Sequence, residues 1–181
     1  MRSFLLLCSA CFLLSFTVVY MLQWKYVPEK AQVKYFIEGE DPGVFTGLAG
    51  NVDFDPDAPE KGSIMAEIAV KTVNSGVAMR DESLLSKDFF EESKYPKIRF
   101  VSEKISKTDT GFLASGKLTI KNVTKPLNLP FTFSYTPNSA VPEGIFKGGF
   151  SINRYDFNVG SKGDGIPEKV RIELEILVQR K

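Results

Sequence analysis

Two long stretches of this chain place an apolar residue at every second position, and no other feature constrains its fold as tightly. Leu127, Leu129, Phe131, Phe133 and Tyr135 alternate with Asn128, Pro130, Thr132 and Ser134. Val170, Ile172, Leu174, Ile176 and Val178 alternate with Arg171, Glu173, Glu175 and Gln179, broken only by Leu177. Successive side chains on a strand point to opposite faces, so each run is a strand with one apolar and one polar face. Shorter versions occur at Val33, Tyr35, Ile37; at Ile64, Ala66, Ile68, Val70; at Ile98, Phe100; and at Leu118, Ile120. Another is Phe146, Phe150, Ile152, with Gly148 and Gly149 thinning one wall. Turn-forming clusters separate the runs, as in Asp55-Pro56-Asp57-Ala58-Pro59, Asn74-Ser75-Gly76, Asp109-Thr110-Gly111 and Pro137-Asn138. Short strands at this spacing predict an all-β sandwich or barrel. One segment departs from the pattern: Asp81 to Ser93 reads as a short helix capped by Asp81, with Leu84, Leu85, Phe89 and Phe90 covering one end.

The chain opens differently. Nineteen residues from Phe4 to Leu22 carry no charge and follow Arg2, which fits a secretory signal or a transmembrane helix. No small residues precede a cut near Gln23, and Trp24 and Tyr26 suit an interfacial anchor, so both readings stay open. Either one exports the domain. Residues 1–23 are read as signal or anchor, residues 24–181 as one domain, and Gln23 to Gln32 as a linker. Cys8 and Cys11 both fall in the leader, so the domain needs no disulfide.

Composition then removes function classes. Of 23 basic and 22 acidic residues, Arg2 alone lies in the first 24, which leaves 22 of each sign in the domain. A neutral domain offers no footprint for a phosphate backbone, so nucleic acid is not a partner. Histidine is absent, and with it the usual base near pH 7 and the commonest metal ligand. Asp53, Asp55 and Asp57 start like a calcium loop, but Ala58 and Ile64 stand where its Gly and Glu belong. Gly160, Gly163 and Gly165 lack the Lys-Ser/Thr ending of a phosphate loop and read as a flexible loop. No Gly-x-Ser-x-Gly elbow exists. The chain is therefore read as non-enzymatic, with no metal and no cofactor. Arg154 and Asp156 lie two apart on a strand-like run and share a face, either as a rim salt bridge or as a polar contact for a ligand head group.

Six strings, in order, carry a resemblance. They are Phe45-Thr46-Gly47 leading to Val52-Asp53-Phe54-Asp55-Pro56; Met79-Arg80-Asp81-Glu82-Ser83-Leu84-Leu85-Ser86-Lys87-Asp88-Phe89-Phe90-Glu91; Lys94-Tyr95-Pro96-Lys97-Ile98-Arg99-Phe100; Gly116-Lys117-Leu118-Thr119-Ile120-Lys121-Asn122-Val123-Thr124-Lys125-Pro126; Ile152-Asn153-Arg154-Tyr155-Asp156-Phe157; and Glu168-Lys169-Val170-Arg171-Ile172. Together, over Tyr26 to Arg180, the chain resembles the lipid/polyisoprenoid-binding YceI-like family. The resemblance implies an extended lipocalin-like barrel of eight antiparallel strands, to which the residues themselves add one short helix and, before the barrel, an N-terminal apolar helix. It also implies export to the periplasm, where the leader read as an anchor would hold the domain at the membrane, and a lumen holding an isoprenoid such as a quinone or its precursor. The lumen would then be lined by Phe54, Ile68, Phe89, Phe100, Leu118, Ile120, Phe131, Phe133, Phe150, Ile152, Ile172 and Leu174. Ser83, Lys121-Asn122 and Asn158 depart from the pattern, at places where relatives carry histidine or glycine. The partners expected are an apolar lipid, the membrane through the leader and, as an open alternative, a second copy of the chain. An eight-stranded barrel is also small enough to be filled by its own side chains. In that case it serves as a structural or protein-interaction module of the envelope, in a stress-related role.

Overall fold

The computed structural model describes residues 22–27, 30–136 and 142–180. The leader from Phe4, with Cys8 and Cys11, lies outside them apart from Leu22. Eleven strands follow in chain order: β1 Gln23–Tyr26, β2 Gln32–Ile37, β3 Gly43–Phe45, β4 Leu48–Asp53, β5 Ser63–Ala69, β6 Val73–Asn74, β7 Lys97–Thr108, β8 Gly111–Ile120, β9 Val123–Thr136, β10 Glu143–Asn153 and β11 Lys169–Arg180. One helix, α1, spans Ala78–Leu85. All the pairings are antiparallel, and the circuit β1-β4-β5-β7-β8-β9-β10-β11 closes through β1 on β11. The barrel is therefore eight-stranded. β2, β3 and β6 continue the first three staves: β1 and β2 pair with successive parts of β11, and β3 lies between β2 and β6.

Alternation dictates the faces. On β8, Phe112, Ala114, Gly116, Leu118 and Ile120 are buried while the residues between them are not. β7 loses this order at a bulge between Ser102 and Lys104, which returns Ile105, fully buried, to the inside.

The linker expected over Gln23–Gln32 is in part strand. β1 is the stave that closes the barrel, and Trp24 is 1% exposed in the core rather than at a membrane surface. Its indole Nε1 donates to the carbonyl of Phe54 at 2.9 Å. Four residues beside an apolar leader are too few to show a period of two, which is why β1 was hidden. Trp24→Phe orphans that buried carbonyl, and we expect a loss of about 1–3 kcal/mol in a urea denaturation series.

The helix also differs from expectation. Asp81 does not cap it but sits in its first turn, where its carboxylate accepts the Ser75 backbone N–H at 2.7 Å. The helix stops at Leu85, and the chain then passes through turns in which Glu91 adopts a left-handed conformation (φ 52°). Phe89 and Phe90 therefore reach the barrel from a turn.

Candidate functional site

Inward side chains fill one end of the barrel and leave the rest open. Phe54, fully buried, makes edge-on contacts with Phe112, Phe131, Phe133 and Phe146 at ring-centre distances of 5.0–5.6 Å. Trp24 packs edge-on against Phe133 and Tyr135. Such contacts each add about 0.5–1.5 kcal/mol beyond the area they bury, and here they form a solid floor.

Above the floor lies a cavity of about 200 Å³. Val170, Ile172, Leu174 and Ile176 of β11 all line it, so at about 3.4 Å per residue it runs for about 20 Å. It is long and narrow. Leu84, Phe89 and Phe90 reach it from α1 and the turns that follow, and Phe157, Val159 and Ile166 from the segment joining β10 to β11. An apolar cavity of this size is dry and open to an apolar guest.

Ten of the twelve lining residues expected from the sequence face this space: Ile68, Phe89, Phe100, Leu118, Ile120, Phe131, Phe150, Ile152, Ile172 and Leu174. Phe54 and Phe133 do not, because they are spent on the floor. Tyr26 and Phe45 also line the cavity and fall outside the alternating runs of the sequence, whereas Tyr35 and the small Ala66 lie within those runs and join the lining as well. Gly148 faces inward between Phe131 and Leu174, where a Cβ would come within 2.6 Å of the Pro130 carbonyl. Gly149 borders a concavity on the outer face together with Gln32, Lys34 and Glu173.

Arg154 and Asp156 do not form the pair expected of them. The Asn153 side chain accepts the Tyr155 N–H and starts a 3-10 turn over Arg154–Phe157, which ends the strand alternation. At three residues per turn, positions two apart no longer share a face. Asp156 pairs at the surface with Lys125 at 3.1 Å. Arg154 turns inward, is 4% exposed and pairs with Asp164. Its guanidinium also donates to the carbonyls of Val159, Ile166 and Pro167 and to the Tyr155 hydroxyl. A guanidinium has five donors, and here the protein engages all three of its nitrogens. The loop read as flexible is thus built around an ion pair. Gly160, Gly163 and Gly165 adopt positive φ and let the chain fold the Asp164 carboxylate onto Arg154, where it also accepts the Ser161 and Ile166 N–H groups. The bonds from Arg154 hold the Asp164 carboxyl down at about 2, against an opposing push from burial.

Comparison with known proteins agrees with this geometry. The signature of the family described as YceI-like domain matches residues 24–178. A UPF0312 protein of Pseudomonas syringae pv. tomato is 33% identical over 139 residues, 74% of this chain and 70% of that protein. One from Photorhabdus laumondii is 30% identical over 141 residues, 76% and 71% respectively. Among solved structures, Burkholderia cenocepacia BcnA superposes with a TM-score of 0.74 at 27% identity, covering 84% of this chain and 98% of that one. A polyisoprenoid binding domain from Saccharophagus degradans shares the fold, with a TM-score of 0.62 at 12% identity over 89% and 99%.

Proposed function

This chain belongs to the YceI-like domain family, and from that membership we propose that it is a binding protein whose barrel encloses the chain of one long apolar lipid of the isoprenoid class. The cavity carries this reading. It is about 200 Å³, narrow, about 20 Å long and lined almost wholly by aliphatic and phenyl groups. A buried methylene gains about 0.8 kcal/mol over one in water, so an extended chain gains along its whole length, while a compact polar substrate gains nothing. The solved relative described as a polyisoprenoid binding domain supports the same class of guest. A binder is favoured over an enzyme because the lining, among the described residues, holds no carboxylate or thiol, and the guanidinium of Arg154 is engaged. The uncharged leader from Phe4 to Leu22 supports a place outside the cytoplasm, with the domain exported or held at the membrane facing the periplasm.

The test is native mass spectrometry of the full chain, extracted gently from its source. An apolar mass that co-purifies and is released by organic solvent supports the carrier. A chain that is always bare and takes up no added lipid overturns it, in favour of a filled barrel that acts by contacting other proteins.

A further inference from the structure

Among the described residues the lumen holds no free charge, but two tyrosine hydroxyls line it, and that of Tyr35 is buried without a partner. Its lining includes two charged residues, Lys147 and Arg154. The Lys147 amine pairs on the outer face with Glu175 at 3.0 Å, and the Arg154 donors are engaged within the protein. A diphosphate drawn inside would meet no available cation, and an unpaired buried anion is among the costliest groups to desolvate.

Tyr26 and Tyr35 both line the cavity. Tyr26 follows Trp24 on the inward face of β1, just above the aromatic floor, and no described residue is hydrogen-bonded to its hydroxyl. Tyr35 is 8% exposed, and its hydroxyl is the one buried side-chain polar atom among the described residues with no partner. Its ring lies over Gly43, where a side chain would collide with it. Burial pushes the Tyr26 phenol well above its ordinary value and the Tyr35 phenol up to about 12, so both stay protonated donors at neutral pH. Asp81 adds to the rise at Tyr35 and Arg80 opposes it. A buried hydroxyl left without a hydrogen bond keeps its desolvation cost, which a guest bearing an acceptor would recover. The two stand far apart: their partners on β11, Val178 and Ile172, are about 20 Å from each other along the strand.

We infer that the phenols of Tyr26 and Tyr35 are the polar contacts of the lumen, and that they select an uncharged lipid bearing a hydrogen-bonding oxygen over a bare hydrocarbon or a phosphate-headed chain. This rests on the lipid-binding reading above. The experiment uses the full chain in detergent with three probes of one skeleton: phytol, phytane and phytyl diphosphate. Phytol is expected to bind the wild type about tenfold more tightly than phytane, and phytyl diphosphate more weakly than phytol. The double variant Tyr26→Phe/Tyr35→Phe brings phytol down to the level of phytane, leaves phytane unchanged and melts no lower than wild type. Equal binding of phytol and phytane by the wild type overturns the inference and spares lipid binding, as does tightest binding by the diphosphate. So does a double variant that weakens both neutral probes alike or leaves the preference for phytol intact. If no probe binds, lipid binding falls along with the inference.

Discussion

Ala66→Phe is expected to lower lipid occupancy at least about tenfold while the protein stays folded. Ala66 sits on the inward face of β5 between Ile64 and Ile68, and all three line the lumen. Its neighbour on β4 is Gly50, which offers no side chain, and its neighbour on β7 is Phe100. The pair of small residues leaves room at that level, and a phenyl group placed there occupies space a guest would use. Adding bulk to a packed core costs about 1–3 kcal/mol, but adding it to a cavity stabilises. The lipid-free variant should therefore melt at the wild-type temperature or above. The check is a paired measurement of bound lipid and melting temperature. Unchanged occupancy with a lower melting point would show that no guest uses this space. A larger ring in place of Phe133 would not serve as this test, because that side chain belongs to the floor.

Asp164→Ala should cost about 3–5 kcal/mol, since it strands the Arg154 guanidinium inside the protein without its counter-charge. Arg154→Met removes the charge but orphans the carbonyls of Val159, Ile166 and Pro167, so it too destabilises. The double variant should lose less than the sum of the singles, the signature of one shared interaction. The pH dependence has a definite sign. The Asp164 carboxyl is held at about 2, below its ordinary 3.8, so the pair contributes its full stability above about pH 5 and loses it as pH falls from about 4 towards 2. Urea midpoints of wild type and Asp164→Ala should converge over that window. A gap that stays constant down to pH 2 would mean that Asp164 does not hold the loop.

Where burial on one face is the only force acting, the strands were legible in the residues. From Leu127 to Tyr135 in β9 and from Val170 to Val178 in β11 the inner face is wholly apolar and, Leu177 apart, the outer face is the wetter one, and their registers follow. Legibility failed where a local feature interrupts the period. The bulge in β7 hid Ile105, and the Asn153 side chain turned Arg154 and Asp156 out of strand geometry. β1 was too short to show a pattern beside an apolar leader. Most of the cavity lining was readable for the same reason the strands were, since inward and lumen-facing mean the same thing over much of a barrel. What alternation could not tell is the depth of a side chain. Phe54 and Phe133 point inward as surely as Phe131 does, yet they belong to the floor, because contacts between rings from several strands set that level. The pairing of Arg154 with Asp164 carries no periodic signal at all, and the run of glycines around Asp164 was its one trace.

The closing seam of the barrel sets an order in time. β1, the first stave, pairs through Trp24 and Tyr26 with Arg180 and Val178, 156 and 152 residues further along. Loop closure across a whole domain is entropically slow, and contacts this distant in sequence form late. A nascent chain thus has no enclosed lumen until β11 has left the ribosome. Before that moment the apolar staves face solvent and are prone to stick to one another or to other chains. A guest of the proposed kind would then be either trapped as the seam zips shut or admitted afterwards, and these routes differ kinetically: trapping makes uptake coincide with folding, whereas later entry lets a folded, empty barrel be filled.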